Sequence, residues 1–218
     1  MPKRTPKQTK NKIVEAAIKL FDSQGFDGTT VRQIAAEANV NVALISYYFT
    51  NKKGLLEHVM VAYYEGLFYR LDDCRYNSHW TTLYELLTNM LEAFIRFQCE
   101  SYQVTRLIQR ELSVESMLGR EIMSTYIARL KHYFASILEE GVTSGEFVQL
   151  SVESISIHLF SIMSYPYTHP QILREVFYVE PLDEQFVERM IDYTCAILLR
   201  LIVPGDKAGA FSMKSDTC

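Results

Sequence analysis

Long apolar runs, paired cysteines and mid-chain prolines are what this sequence lacks. No apolar stretch approaches the roughly 18 residues a membrane span requires. The best window, Ile155 to Met163, is interrupted by Ser156, His158 and Ser161. The basic N-terminus runs straight into Asn11-Lys12-Ile13-Val14-Glu15, with no apolar signal core. A soluble, cytoplasmic protein is the expectation. Cys74, Cys99, Cys195 and Cys218 are scattered, with neither a Cys-x-x-Cys pair nor a His at metal-ligand spacing. That excludes a disulfide scaffold, fits a reducing compartment and implies no metal or cofactor. The first three read as small core hydrophobes and Cys218 as a free terminal thiol. Nine glycines in 218 residues are too few for a collagen-like chain, and 48% hydrophobic residues with a net charge of -4 exclude general disorder. The spacings HExxH, GxSxG, GxGxxG and the P-loop are missing, and Glu139-Glu140 reads as a solvated pair, so no enzyme is expected.

What is present is helical periodicity. No proline falls between Pro6 and Pro166, and strand-like alternation is scarce in that stretch. Ile13, Val14, Ala17, Ile18 and Phe21 form one apolar face, stopped at Gly25. Thr30-Val31-Arg32-Gln33 has the spacing of a capping box and opens a short helix. A turn at Asn39-Val40-Asn41 follows, with Asn41 placed to cap a third helix through Phe49. A long helix runs from about Leu55 to Cys74. Further helices are expected from beyond Ser78 to Cys99, over 102–115 and 118–140, and from Ser151 to Ser164, the last closed by Pro166. A short one is expected near 171–178. The final stripe holds Phe186, Val187, Met190, Ile191, Thr194, Ile197, Leu198, Leu201 and Ile202. The predicted fold is all-α: residues 1–54 a basic arm and helix-turn-helix domain, 55–204 a helical dimerisation and regulatory domain, and 205–218 a flexible tail.

Charge divides along the same line. Residues 1–60 hold nine Lys and Arg against five Asp and Glu, whereas residues 61–218 hold 13 against 21. A basic head on an acidic body predicts a polyanion partner for the head, although a solvated basic tail accounts for the charge alone equally well. The helix-turn-helix reading of residues 30–49 favours the polyanion partner, although its outer aromatics could instead pack on the C-terminal body. Ile34, Ala35, Val40, Ile45 and Phe49 pack inward, leaving Val42, Ala43, Leu44, Ser46, Tyr47 and Tyr48 outside. Such a helix enters a major groove; Tyr hydroxyls reach phosphates, and small apolar side chains meet thymine methyls. Arg32 is the candidate for guanine, and Lys52 and Lys53 for the backbone.

Residues 13–56 resemble the DNA-binding domain of the TetR family. The resemblance is carried by Ile13-Val14-Glu15-Ala16-Ala17, Leu20-Phe21, Gly25-Phe26, Thr29 through Ala35, Val40-Asn41, Tyr47-Tyr48-Phe49 and Lys52 through Leu56. It implies an all-helical homodimer with a C-terminal bundle that dimerises and often encloses a ligand. It assigns base-facing positions to Val42, Ala43, Leu44 and Tyr47, phosphate contacts to Thr30, Tyr48 and Lys52, and a base contact in some members to Arg32. Ser46 stands where Tyr is usual, and Ala43 where Gly or Pro is common. A narrower resemblance, over Asn39 to Phe49, Gly54 to His58, Tyr64-Glu65-Gly66 and Arg120 to Tyr126, is to a branch of the family in spore-forming bacilli. That branch binds DNA and acts on the division protein FtsZ.

For the body, two readings stand side by side. Arg106, Arg110, Glu111, Glu115, Arg120 and Glu121 cluster on two short helices, and the body favours Arg over Lys by ten to three, as directional pairing with a protein partner would. An ordinary salt-bridged helix surface has the same composition. Tyr102, Tyr126, Tyr133, Phe134, His132 and His158 could instead line a small-molecule pocket, although aromatics at helical spacing are more often core. The 151–164 helix and the final stripe together suit an intermolecular four-helix bundle.

Overall fold

The computed structural model describes residues 5–113 and 117–204; Lys3, Arg4, Glu115 and the segment 205–218 with Cys218 lie outside the described residues. The fold is all-α, with no strand among the described residues. In order, the helices are α1 Pro6–Gly28, α2 Val31–Ala38, α3 Ala43–Phe49, α4 Lys52–Tyr76, α5 Leu83–Glu100, α6 Tyr102–Leu112, α7 Met117–Ile122, α8 Ala128–Ser144, α9 Val152–Thr168, α10 Pro170–Glu175 and α11 Glu184–Ile202. A π-helical turn, Met123–Ile127, joins α7 to α8. Among the described residues no helix is long and apolar enough to cross a membrane.

The chain divides into two compact units: residues 1–66 with 101–121, and residues 67–100 with 122–218. In the first, α1 lies against both α2 and α6. Ile13, Ala16, Ala17, Leu20 and Phe21 from α1 meet a buried set that includes Ile34, Ala35, Ala38, Ile45 and Phe49. The small Ala35 and Ala38 permit the close approach of short helices. α1 begins earlier than its apolar face, at a Thr5–Gln8 capping box with Pro6 in the first turn. It is interrupted at Gly25, whose φ of 79° lies in the left-handed region.

In the second unit, α5 packs on α8 and α11, and α8 on α9. Leu86, Leu87, Met90, Leu91 and Ile95 of α5 are buried, as are Leu130, Phe134, Ile137 and Leu138 of α8. The Glu146 carboxylate accepts from the backbone N–H of Leu83 (3.0 Å) and Tyr84 (2.8 Å), caring for donors that the start of α5 leaves open. Arg96 links α5 to α11 by pairing with Glu188 at 2.6 Å while holding Glu92 at 2.8 Å. Burial pushes the Cys195 thiol up to about 11 and also raises Cys74 and Cys99, which favours the protonated thiol at these half-buried positions.

Several boundaries differ from the sequence reading: α4 begins at Lys52 rather than Leu55 and runs to Tyr76, and the single helix expected over 118–140 is α7, the π-helical turn and α8, which ends at Ser144. α9 does not close before Pro166 but carries it inside, to Thr168. Proline late in a helix forfeits one backbone bond, and burial of the Pro166 and Tyr167 side chains favours keeping the turn. The short helix expected at 171–178 is Pro170–Glu175, opened by Pro170 in its first turn.

The α3–α4 turn leaves no room for a side chain at Gly54, where a Cβ would collide with the Phe49 carbonyl oxygen. Gly54→Ala is therefore expected to lower stability by about 1–3 kcal/mol, read as a lower Tm with helix content retained in circular dichroism. An unchanged Tm would mean that the turn is not tightly packed.

Candidate DNA-binding surface

The reading unit is built on its caps. The Thr30 backbone N–H donates to Gln33 Oε1 at 2.8 Å, and the Gln33 N–H donates to Thr30 Oγ1 at 3.3 Å, which completes the capping box of α2. Gln33 Nε2 also reaches Gln24 Oε1 of α1 at 3.2 Å. The turn to α3 passes through Asn39 in the left-handed conformation (φ 52°), a geometry that Asn tolerates better than most residues. The N–H of Val40 closes the turn on the Ala35 carbonyl at 3.0 Å. Asn41 Oδ1 accepts from the N–H of Ala43 at 2.9 Å, so the side chain supports the start of α3 from just outside the helix.

Ile45 and Phe49 are buried, which turns the opposite face of α3 outward. Val42 and Ala43 are exposed, Leu44 and Tyr48 half-buried, and Tyr47 is 78% exposed. The Tyr47 and Tyr48 rings meet edge to face at 5.0 Å, which limits their freedom without burying Tyr47. Arg32 and Thr30 are exposed at the start of α2. Thus Thr30, Arg32, Val42, Ala43, Leu44, Tyr47 and Tyr48 come together on one small unit. Lys10 of α1, one of the basic residues of the N-terminal arm, lies 5.5 Å from the centre of the Phe49 ring. The Thr5-Pro6-Lys7-Gln8 spacing was the legible signal, since it extends α1 back to carry Lys7, Lys10 and Lys12.

Lys52 occupies a different setting from an outward phosphate contact. Its Nζ donates to the carbonyls of Phe26 and Thr29, each at 2.8 Å, and lies 4.3 Å from the centre of the Phe26 ring. Lys53 is exposed and pairs with Glu57 at 3.5 Å.

The charged cluster of α6 and α7 splits. Arg106 pairs with Asp22 at 3.3 Å and stacks over Tyr102. Arg110 Nη2 donates to the carbonyls of Phe21 (2.8 Å) and Asp22 (3.4 Å). Glu111 is half-buried, and its pKa is raised, first by desolvation and then by Asp27, against the opposing pull of Arg110. Arg106 and Arg110 serve the seat of α6 beside α1, whereas Arg120 and Glu121 of α7 are exposed. The aromatic candidates also separate. Tyr126 and Tyr133 stack against Phe68, with Arg129 4.0 Å over its ring, and Tyr133 donates to Asp72. Phe134 is core, and His132 and His158 are exposed.

A capped helix-turn-helix on a third helix, with the outer face of its second helix exposed, defines a DNA-binding regulator of the helix-turn-helix class. Residues 13–59 match the profile of the bacterial regulatory proteins of the tetR family. The chain is 40% identical over 178 residues, 82% of its length and 86% of the relative's, to YttP of Bacillus subtilis, a probable HTH-type transcriptional regulator. It belongs to the TetR family of bacterial transcriptional regulators, whose members are not enzymes. Solved relatives share the fold: the ketosteroid transcriptional regulator KstR2 of Mycobacterium tuberculosis (TM-score 0.71, 18% identity, covering 89% of this chain and 95% of that one) is one. The fatty acid degradation regulator FadR of Bacillus halodurans (TM-score 0.68, 19%, covering 89% and 97%) is another.

His58 lies 5.2 Å, ring centre to ring centre, from Phe49 at the end of α3, and its pKa is lowered first by desolvation and then by the Lys10 ammonium. The unfolded chain, with His near 6.5, takes up this proton first on acidification, so stability falls as pH drops through 6.5 toward the lowered folded value. His58→Gln should therefore lose less Tm than the parent between pH 7 and pH 5. Parallel Tm curves would show that His58 does not carry the dependence.

Proposed function

We propose that the protein is a homodimer that reads near-palindromic chromosomal sites in the cytoplasm through α3, and that residues 55–204 dimerise and regulate it. The observation that carries this reading is the exposed face of α3, where Tyr47 stands 78% accessible on a helix whose other side is core. Val42, Ala43, Leu44 and Tyr47 face bases, Tyr48 and Thr30 face phosphates, and Arg32 reaches a base from α2. Two such heads about one helical turn of DNA apart read a two-fold site.

Dimerisation is supported by apolar side chains that the fold leaves outside. Ile157 and Tyr165 of α9 and Tyr193, Ile197 and Leu201 of α11 are between 40% and 68% exposed. Ser154 and Ser161, also exposed on α9, are small enough for close helix contact. Pairing α9 and α11 with their copies forms a four-helix bundle.

At the finer level, the protein resembles RefZ, and the proposed output is control of FtsZ and cell division. The run Arg120 to Tyr126 supports this: Arg120, Glu121, Met123, Ser124 and Thr125 are exposed and pass through the π-helical turn, a feature frequent at functional sites. Release from an operator by a small molecule is the second reading. It is favoured by two relatives of the same fold, KstR2, a ketosteroid transcriptional regulator, and FadR, a fatty acid degradation regulator.

Purified protein should retain several near-palindromic sites from fragmented host DNA, with affinity falling steeply as salt rises. Tyr47→Ala should erase the preference for those sites over random DNA. A single site near its own gene, released by a metabolite, would favour the second reading, and retention without sequence preference would sink sequence-specific recognition. Ile197→Glu with Leu201→Glu should convert the dimer to monomer in sedimentation; an intact dimer would remove α11 from the interface.

A further inference from the structure

The helix-turn-helix enters from the α1–α2 link and leaves through the α3–α4 turn, and one side chain touches both ends. Gly25 (φ 79°, ψ 163°) interrupts α1, and a helix end leaves carbonyl groups short of donors. Thr29, fully buried, directs its hydroxyl to the carbonyls of Leu20 (3.2 Å) and Gly25 (2.8 Å). Arg110 serves Phe21 and Asp22. The carbonyls of Phe26 and Thr29 receive the Lys52 ammonium, at 2.8 Å each, above the Phe26 ring.

Thr29 immediately precedes the cap of α2, and Lys52 is the first residue of α4. Two of the three donors of Lys52 are thus engaged within the protein, at the start of the motif, from a residue at its end. We infer that Lys52 is a positioning residue: it closes the reading head by tying the α1–α2 link to the start of α4, and so sets the bearing of α3, rather than lending its charge to a phosphate. This rests on the DNA-reading function proposed above. Charge and geometry make separable predictions. A phosphate contact contributes about 0.9 to the slope of log affinity against log salt and is indifferent to sequence. A clamp contributes nothing to the slope but governs how well α3 meets base edges, where each imperfect contact costs roughly tenfold or more in preference.

The test uses the full chain with Lys52→Met. Three quantities are compared with the parent: affinity for a random-sequence duplex across a salt series, affinity for a duplex selected on the parent protein, and amide hydrogen exchange without DNA. The expected result is an unchanged salt slope, a loss of about tenfold in the ratio of selected to random affinity, and faster exchange confined to residues 26–34. A slope reduced by about 0.9 with the ratio retained would make Lys52 a phosphate contact and overturn the inference. A lower Tm with ratio and exchange pattern both retained would overturn it in favour of a purely stabilising role. Phe26→Leu keeps the Lys52 charge but removes the ring beneath it. If Lys52→Met does not fold, Phe26→Leu decides: loss of ratio at constant slope supports the clamp, and an intact ratio overturns it. If the parent selects no sequence, the DNA-reading proposal fails, while the salt-slope and exchange measurements still decide the role of Lys52.

Discussion

Backbone carbonyls at the broken end of α1 are the constraint on which the reading head depends. A helix that stops at Gly25 leaves acceptors that must find donors, and buried acceptors without them are costly. The donors come from three places far apart in sequence: Thr29 from the link itself, Arg110 from α6 and Lys52 from the start of α4. Arg110 thereby ties α6, distant along the chain, to α1 within the same compact unit as the helix-turn-helix. Together the three donors give the conformation of the link a chemical cause rather than leaving it to a flexible turn.

The second unit follows a different rule, the division of apolar faces. α11 carries apolar residues around more of its circumference than one neighbour can cover. Val187, Ile191, Leu198 and Ile202 go inward, while Tyr193, Ile197 and Leu201 remain outside. A surface helix that needs only a monomer core carries a narrower stripe. With α9 divided in the same manner, the unit has a face whose burial would release substantial free energy, at about 25 cal/mol per Å² of apolar surface. The charged residues that tie this unit together, Arg96 with Glu92 and Glu188, lie between helices rather than on that face.

Much of the fold was legible because its signals are local. Thr30 and Gln33 stand at capping-box spacing, and the structure has the two reciprocal bonds. Asn39 sits in the turn and adopts the left-handed conformation that its type tolerates. The start of α1 was less legible, since residues 6–12 carry no apolar periodicity and only the Thr5–Gln8 pair marks it. Pro166 misleads for an energetic reason: the penalty of a late proline is a single backbone bond, and burial can outweigh it. The outward face of α3 followed from Ile45 and Phe49 being apolar at helical spacing.

By itself the sequence determined the helical class, the helix-turn-helix at residues 30–49 and which face of α3 is available, because caps, turns and 3.6-residue periodicity act between near neighbours. What only the tertiary structure decided is the destination of the long cationic side chains. Arg106, Arg110, Arg120, Lys52 and Lys53 look alike as charges in a string of residues. Three of them turn inward to Asp22 and to the carbonyls near Gly25, and the others stay at the surface. A flexible side chain of that length settles wherever folding leaves an acceptor without a donor, and those acceptors exist only after distant helices have packed.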